Sequence, residues 1–325
     1  MRRSAGRPAH ARACLLTGLL IILSLALSAA APARAARLLV VCQGGGVVSV
    51  VDTSALRVTA EIAVGPGPAA IAVSPDSATA YVTHPDAGRL TRIDTARGAV
   101  RDAARIGGQP FGIAVDGDGT LYVSDWSADA VRRLDPGTFG ITGVVKVGRA
   151  PAGLALDRRR RELYSADREA GTLSIIDLAT FTRSAALPVG DGPYAFDTSD
   201  DPHTLWLVNA RGGDLVGLRK ATRTLTRVPV GKMPYGVASD PDSGRVLVAN
   251  QQSGTLSLIA SDPATAPRTL RVGGSPEGVR IDPAAPIAYA VDWFSDAVLV
   301  IDLDTFSVRT RIPVSKGPRA LVLVP

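Results

Sequence analysis

A β-propeller of seven four-stranded blades is the fold the sequence predicts, and three observations carry it. One phrase recurs seven times: VGPGPAAI at Val64, IGGQPFGI at Ile106, VGRAPAGL at Val147, VGDGPYAF at Val189, VGKMPYGV at Val230, VGGSPEGV at Val272 and VSKGPRAL at Val314. The prolines of these copies are spaced by 42, 41, 42, 41, 42 and 42 residues, a period that belongs to a repeat architecture and not to independent loops. Each period holds four short runs rich in valine, isoleucine, leucine and tyrosine, as in IAYAVD, AVLVIDL, VRTRIPV and RALVLV of the last copy, with no helical periodicity.

The amino end comes first. An arginine-bearing start, an apolar run from Leu15 to about Ala31 and an A-x-A site at Ala33, Arg34 and Ala35 predict a secretory signal over residues 1–36 and a propeller over 37–325. The run is short for a bilayer span, and cleavage near Ala36 or Arg37 places the mature chain in the periplasm or outside the cell. Cleavage removes Arg2, Arg3, Arg7, Arg12 and Arg34 and no acid, leaving 31 basic residues against 30 acidic, so overall charge argues for no polyanionic partner. Cys42 is the one cysteine left, which excludes an internal disulfide.

The mature chain opens with three runs, LLVVCQ, VVSVVD and TAEIAV, and closes with RALVLV, the run that precedes such a triplet in the other copies. The carboxyl run is therefore expected to complete the first blade and close the ring, which removes two open sheet edges. Between runs lie turn clusters such as DGDGT at Asp116 and DPDSG at Asp240. The repeated glycines and prolines supply no G-x-x-x-x-G-K-[ST] spacing and no following helix, so VGGSPEGV is a blade linker and not a phosphate loop.

AYVTHPDAGRLTRIDT at Ala80 and VLVANQQSGTLSLIAS at Val246 resemble the YVTN repeats of YncE-like extracytoplasmic β-propellers. The resemblance covers nearly all of residues 37–325. It implies a scaffold that binds or assists, and fold alone assigns no activity. It also implies that the residue after each repeated proline leads into the innermost strand at the channel mouth, with the loops after the second strands on the same face.

Residue types shared by most copies are read as structural. Asp52, Asp94, Asp135, Asp177 and Asp302 are expected to cap turns. Gln43, His84, Asp125, Asp167, Asn209, Asn250 and Asp292 end the second runs, as turn caps or as a ring of oxygen ligands for a cation if they face the axis. Asp129 and Asp296 replace glycines and are expected to take a left-handed backbone.

Function is sought where columns break. After the proline stand Phe111, Tyr194, Tyr235, Glu277 and Arg319, with alanines in two copies, and the second-run loops add Trp126 and Trp293. These seven form the candidate ligand site, an aromatic face with one acid and one base. Glu277 and Arg319 occupy adjacent copies of one column and are expected to pair. Arg158–Arg161 is a solvated turn or an anionic patch binder, on the face away from the aromatics.

No pattern identifies a catalytic residue, a metal or a cofactor. Of the mature chain's histidines, His84 and His203 fall in different loop classes, and no G-x-S-x-G marks a nucleophilic serine. The expectation is a monomeric, non-catalytic binding propeller whose partner is a protein or a small molecule, accessory to another envelope or redox protein. Alternatives are a lactonase-like hydrolase or lyase using Glu277 or His84 as base, and a single-stranded nucleic-acid binder.

Overall fold

The computed structural model describes residues 36–199, 201–260 and 265–324. Apart from Ala36, the expected export signal lies outside them. Among the described residues every regular element is a strand, and no helix is long and apolar enough to cross a membrane.

Twenty-eight strands form seven four-stranded antiparallel sheets. Blade 1 is composite, ordered Pro318–Val324, Arg37–Cys42, Val47–Asp52, Arg57–Ala63, so the last strand of the chain pairs with the first. Leu39 stands opposite Val322 and Val41 opposite Ala320 in that closure. Blades 2 to 7 follow in chain order, each running from an innermost strand that begins at or just after the repeated proline to an outermost one.

Burial explains the strand compositions. Second strands such as Thr79–His84 and Ile287–Asp292 are buried almost throughout, because both faces pack against neighbouring blades. Outermost strands such as Ala99–Arg105 are mostly exposed and carry the charge. Seven apolar clusters result, one at each blade interface. Leu90 meets Leu121 and Val123 between blades 2 and 3, and Leu247 and Leu256 meet Leu299 and Ile301 between blades 6 and 7.

The aspartates at the ends of third strands cap turns. Asp52 Oδ1 accepts the amides of Ser54 and Ala55, and Asp302 Oδ1 those of Asp304 and Thr305. Those turn amides, with Arg309, hold the Asp302 carboxyl at about 2. Asp129 and Asp296 both have φ 49°, and each accepts the amide of the residue before the next repeated proline, Ala150 or Gly317, at 2.8 Å.

In the column ending the second strands, three side chains cap the linker that enters their own blade. Asp125 Oδ1 accepts the Gln109 amide at 3.0 Å, Asn250 Oδ1 the Gly231 amide at 3.0 Å and Asp292 Oδ1 the Ser275 amide at 2.7 Å. These three side chains anchor the linker from the preceding blade, as turn caps do, while Gln43 Oε1 accepts from Arg319. Among the described residues no three His, Cys, Asp or Glu side chains gather as a metal site. In VGGSPEGV itself, Gly274 lies against the Asp292 carboxylate with φ +56°, where a Cβ would overlap it.

Candidate functional site at the channel mouth

The innermost strands surround the axis, and the residue after the proline begins each of them at one end of the channel. Phe111, Tyr194, Tyr235, Glu277 and Arg319 line one cavity of about 150 Å³ within it. Above, a more open hollow of about 250 Å³ is framed by Phe111, Trp126, Arg168, Tyr194, Tyr235 and Arg319, with Asp86 and Gln109 at its rim. Six of the seven residues expected at the site thus border one or both hollows.

The rings form a continuous aromatic wall. Phe111 lies 5.3 Å from Trp126 and 5.8 Å from Tyr194, and Tyr194 meets Tyr235 edge-on at 4.5 Å. Edge-to-face contact of this kind favours a fixed arrangement of rings. Arg319 is held in the wall: its guanidinium lies over Phe111 at 5.4 Å, donates to the Tyr194 hydroxyl at 2.8 Å and donates to Gln43 Oε1 at 3.2 Å. Its Nε is 3.8 Å from Glu277 Oε2, so the expected pair is present but loose. Tyr194 above all, and Glu277 after it, hold Arg319 above its ordinary value against the effect of burial.

Glu277 is 8 % exposed, and burial pushes its carboxyl up from 4.5 although Arg319 and Gln251 pull it down. Gln251 Nε2 donates to its Oε1 at 2.8 Å. Burial likewise raises the Tyr235 hydroxyl.

Trp293 stands apart. Its ring lies against Gly317, with Cζ2 and Cη2 3.3 Å from where a Cβ would be, and it borders neither hollow. The residue equivalent to Gly317 in the linker after Trp126 is Ala150, and Trp126 borders the upper hollow. Phe294, next to Trp293, is 79 % exposed.

Sequence reasoning missed Arg168, Gln251 and the part played by Gln43. Arg168 and Gln251 occupy the same column as Trp126 and Trp293, from which only the aromatics were taken. Arg168 stacks over Trp126 at 5.5 Å and over Tyr194 at 5.8 Å. Its Nη1 is 3.9 Å from Glu169, and its buried Nε has no hydrogen-bond partner among the described residues. The mouth thus combines an aromatic wall with the guanidinium of Arg168 stacked on it.

The two residues named as alternative bases for hydrolysis are both engaged by neighbours. His84 is fully buried in blade 2, with Nδ1 3.0 Å from the Pro66 carbonyl and Nε2 2.9 Å from Thr91, while Glu277 is tied to Gln251 and Arg319. Of the arginine run, Arg158 and Arg161 lie 3.8 and 3.3 Å from Asp116, and Arg160 lies 3.8 Å from Asp157. Arg158 borders a separate channel cavity that shares no residue with the upper hollow.

A family model described as YNCE-like beta-propeller matches residues 47–218. The chain belongs to the YncE-like β-propellers. No curated protein matches it in sequence. Among solved structures, this YncE-like chain is similar to hydrazine synthase of Kuenenia stuttgartiensis, with 20% identity, a TM-score of 0.70 and coverage of 80% of this chain and 90% of that one. A functionally unknown protein from Desulfotomaculum acetoxidans gives 12% identity, a TM-score of 0.75 and coverage of 88% and 98%. The dihydro-heme d1 dehydrogenase NirN, in complex with DHE, gives 16% identity, a TM-score of 0.68 and coverage of 88% and 74%. At these identities the likeness is one of fold.

Proposed function

We propose that this YncE-like propeller is an exported, non-catalytic binding protein whose mouth takes a planar organic anion. One observation carries the reading: the Arg168 guanidinium lies over the Trp126 and Tyr194 rings and Arg168 borders an open hollow of about 250 Å³. A flat ligand stacks on the aromatic wall while its carboxylate takes the guanidinium donors. The Tyr235 hydroxyl, which borders the same hollow, adds polar contact. Two of the similar structures are named as hydrazine synthase and as the dihydro-heme d1 dehydrogenase NirN, which is compatible with work beside redox proteins. Export is supported by the apolar run and A-x-A site of the amino end.

Titration of the purified chain with a series of aromatic carboxylates, followed by Trp fluorescence and calorimetry, tests this. Arg168→Ala is expected to weaken binding by roughly 1.5 to 3 kcal/mol, the worth of a hydrogen bond to a charged group. Trp126→Ala is expected to remove most of the fluorescence response. Equal affinity in wild type and Arg168→Ala would return Arg168 to the protein surface.

A further inference from the structure

A second break in the repeat lies deeper in the channel, four residues after the proline. That column is alanine in four blades and Val322 in a fifth, whereas blades 5 and 7 carry Asp197 and Arg280. Arg280 borders both the cavity of about 150 Å³ below the mouth and a cavity of about 370 Å³ toward the other end. Thr198 borders the same two. Around them the walls are apolar, with Ile71, Ile113 and Leu154 common to both cavities.

Arg280 is not consumed by its surroundings. Its Nη1 donates to the Val279 carbonyl at 2.8 Å, and among the described residues no carboxylate lies within ion-pair distance of it. Asp197, the nearest compensating charge, is spent on other donors: its Oδ1 accepts the Ser199 amide at 3.1 Å, and its Oδ2 accepts the hydroxyls of Ser199 and Ser239. The Thr198 hydroxyl has no partner among the described residues.

We propose that Arg280 and Thr198 form an oxyanion-binding site inside the channel, in which the guanidinium edge and the hydroxyl donate to a small carboxylate or phosphate. Burial pushes Arg280 below the usual arginine value, with Asp197 opposing. A half-buried charge without a close carboxylate is costly, and an incoming anion relieves that cost. The apolar walls strengthen the attraction by keeping the local dielectric low. Arg158 adds positive potential at the far end, although its Nη2 is engaged with the Val115 carbonyl at 2.7 Å. The site shares the cavity of about 150 Å³ with Tyr194, Tyr235, Glu277 and Arg319, but neither Arg280 nor Thr198 borders the upper hollow framed by Arg168 and Trp126.

Calorimetry and thermal unfolding of the purified chain at low salt, with inorganic phosphate in one arm and acetate in the other, test the proposal. Wild type is expected to bind at least one of them and to melt at a higher temperature in its presence. Arg280→Ala, which restores the residue common in this column, is expected to fold and to lose at least tenfold in affinity. Arg280→Ala is expected to bind an aromatic carboxylate at the mouth as wild type does, which separates this site from the one at Arg168 and Trp126. Asp197→Asn removes a like charge and is expected to bind the anion severalfold more tightly. The arm that responds identifies the source of the oxyanion. No binding in either arm, or unchanged binding by Arg280→Ala, overturns the proposal. So does an Arg280→Ala protein that melts lower in anion-free buffer and is rescued by Asp197→Asn, because Arg280 and Asp197 would then be a structural pair.

Discussion

At the scale of single residues, the mouth turns on the balance between burial and charge at Glu277. Its carboxyl is raised above the ordinary 4.5 because loss of water outweighs the attraction of Arg319, 3.8 Å away, and the hydrogen bond from Gln251. The folded state therefore holds this proton more tightly than the unfolded chain does. The stabilisation is fully present below 4.5 and is lost as pH rises through the raised folded value. Glu277→Gln removes the titration and keeps the shape. The difference in melting temperature, variant minus wild type, is expected to be most positive at neutral pH and to shrink as pH falls toward 4.5, read by thermal unfolding across that window. A difference that stays flat with pH would show that Glu277 titrates as it does in the unfolded chain.

At the scale of elements, the ring depends on close approach of innermost strands. Two residues after the repeated proline stand glycines in four blades, and a Cβ on Gly153 or Gly278 would lie 2.6 or 2.8 Å from the carbonyl oxygen of Tyr194 or Arg319 in the next blade. A Cβ on Gly236 would overlap the Glu277 carbonyl oxygen. Backbone cannot yield as a flexible side chain does, so Gly236→Ala must part blades 6 and 7. The expected cost is about 1 to 3 kcal/mol, typical of overpacking, measured by denaturant unfolding. The displaced Glu277 backbone should also weaken ligand binding at the mouth. Ala70, Ala195 and Ala320 fill the equivalent places in the other three blades, so the constraint belongs to particular blade pairs.

At the scale of the whole molecule, no central core joins the blades. Stability is a sum of seven interfaces and one closure, and the closure is the pairing of Pro318–Val324 with Arg37–Cys42. Deleting Arg319–Pro325 uncovers an edge of Arg37–Cys42 and exposes apolar residues of the first and last interfaces, among them Leu38, Leu39 and Val41. The truncated chain is expected to lose several of the about 5 to 15 kcal/mol that hold a folded domain and to self-associate. Thermal unfolding and light scattering check both. A monomer with an unchanged melting temperature would mean that the blade closes without this strand.

The repeat was legible because a fixed period needs only counting. Prolines 41 or 42 residues apart, four apolar runs between them and a leftover run at each end determined blade number, strand order and closure, since each blade is local in sequence and its strands pair with their neighbours. Column breaks also found Phe111, Tyr194, Tyr235, Glu277 and Arg319, because equivalent positions in a ring converge on its axis. What only the tertiary structure decided was the direction and company of side chains. Trp126 and Trp293 share a column and a context, yet one indole lies against Gly317 while the other borders the upper hollow. Arg168 reads as one surface charge among many until it is found stacked on rings from blades 3 and 5, 42 residues behind it and 26 ahead. Arg280 gains its meaning because no carboxylate among the described residues lies within ion-pair distance, although Asp197 sits in the same column two blades away. Contacts across blades are set by twist and packing between copies, which the order of residues within one copy does not encode.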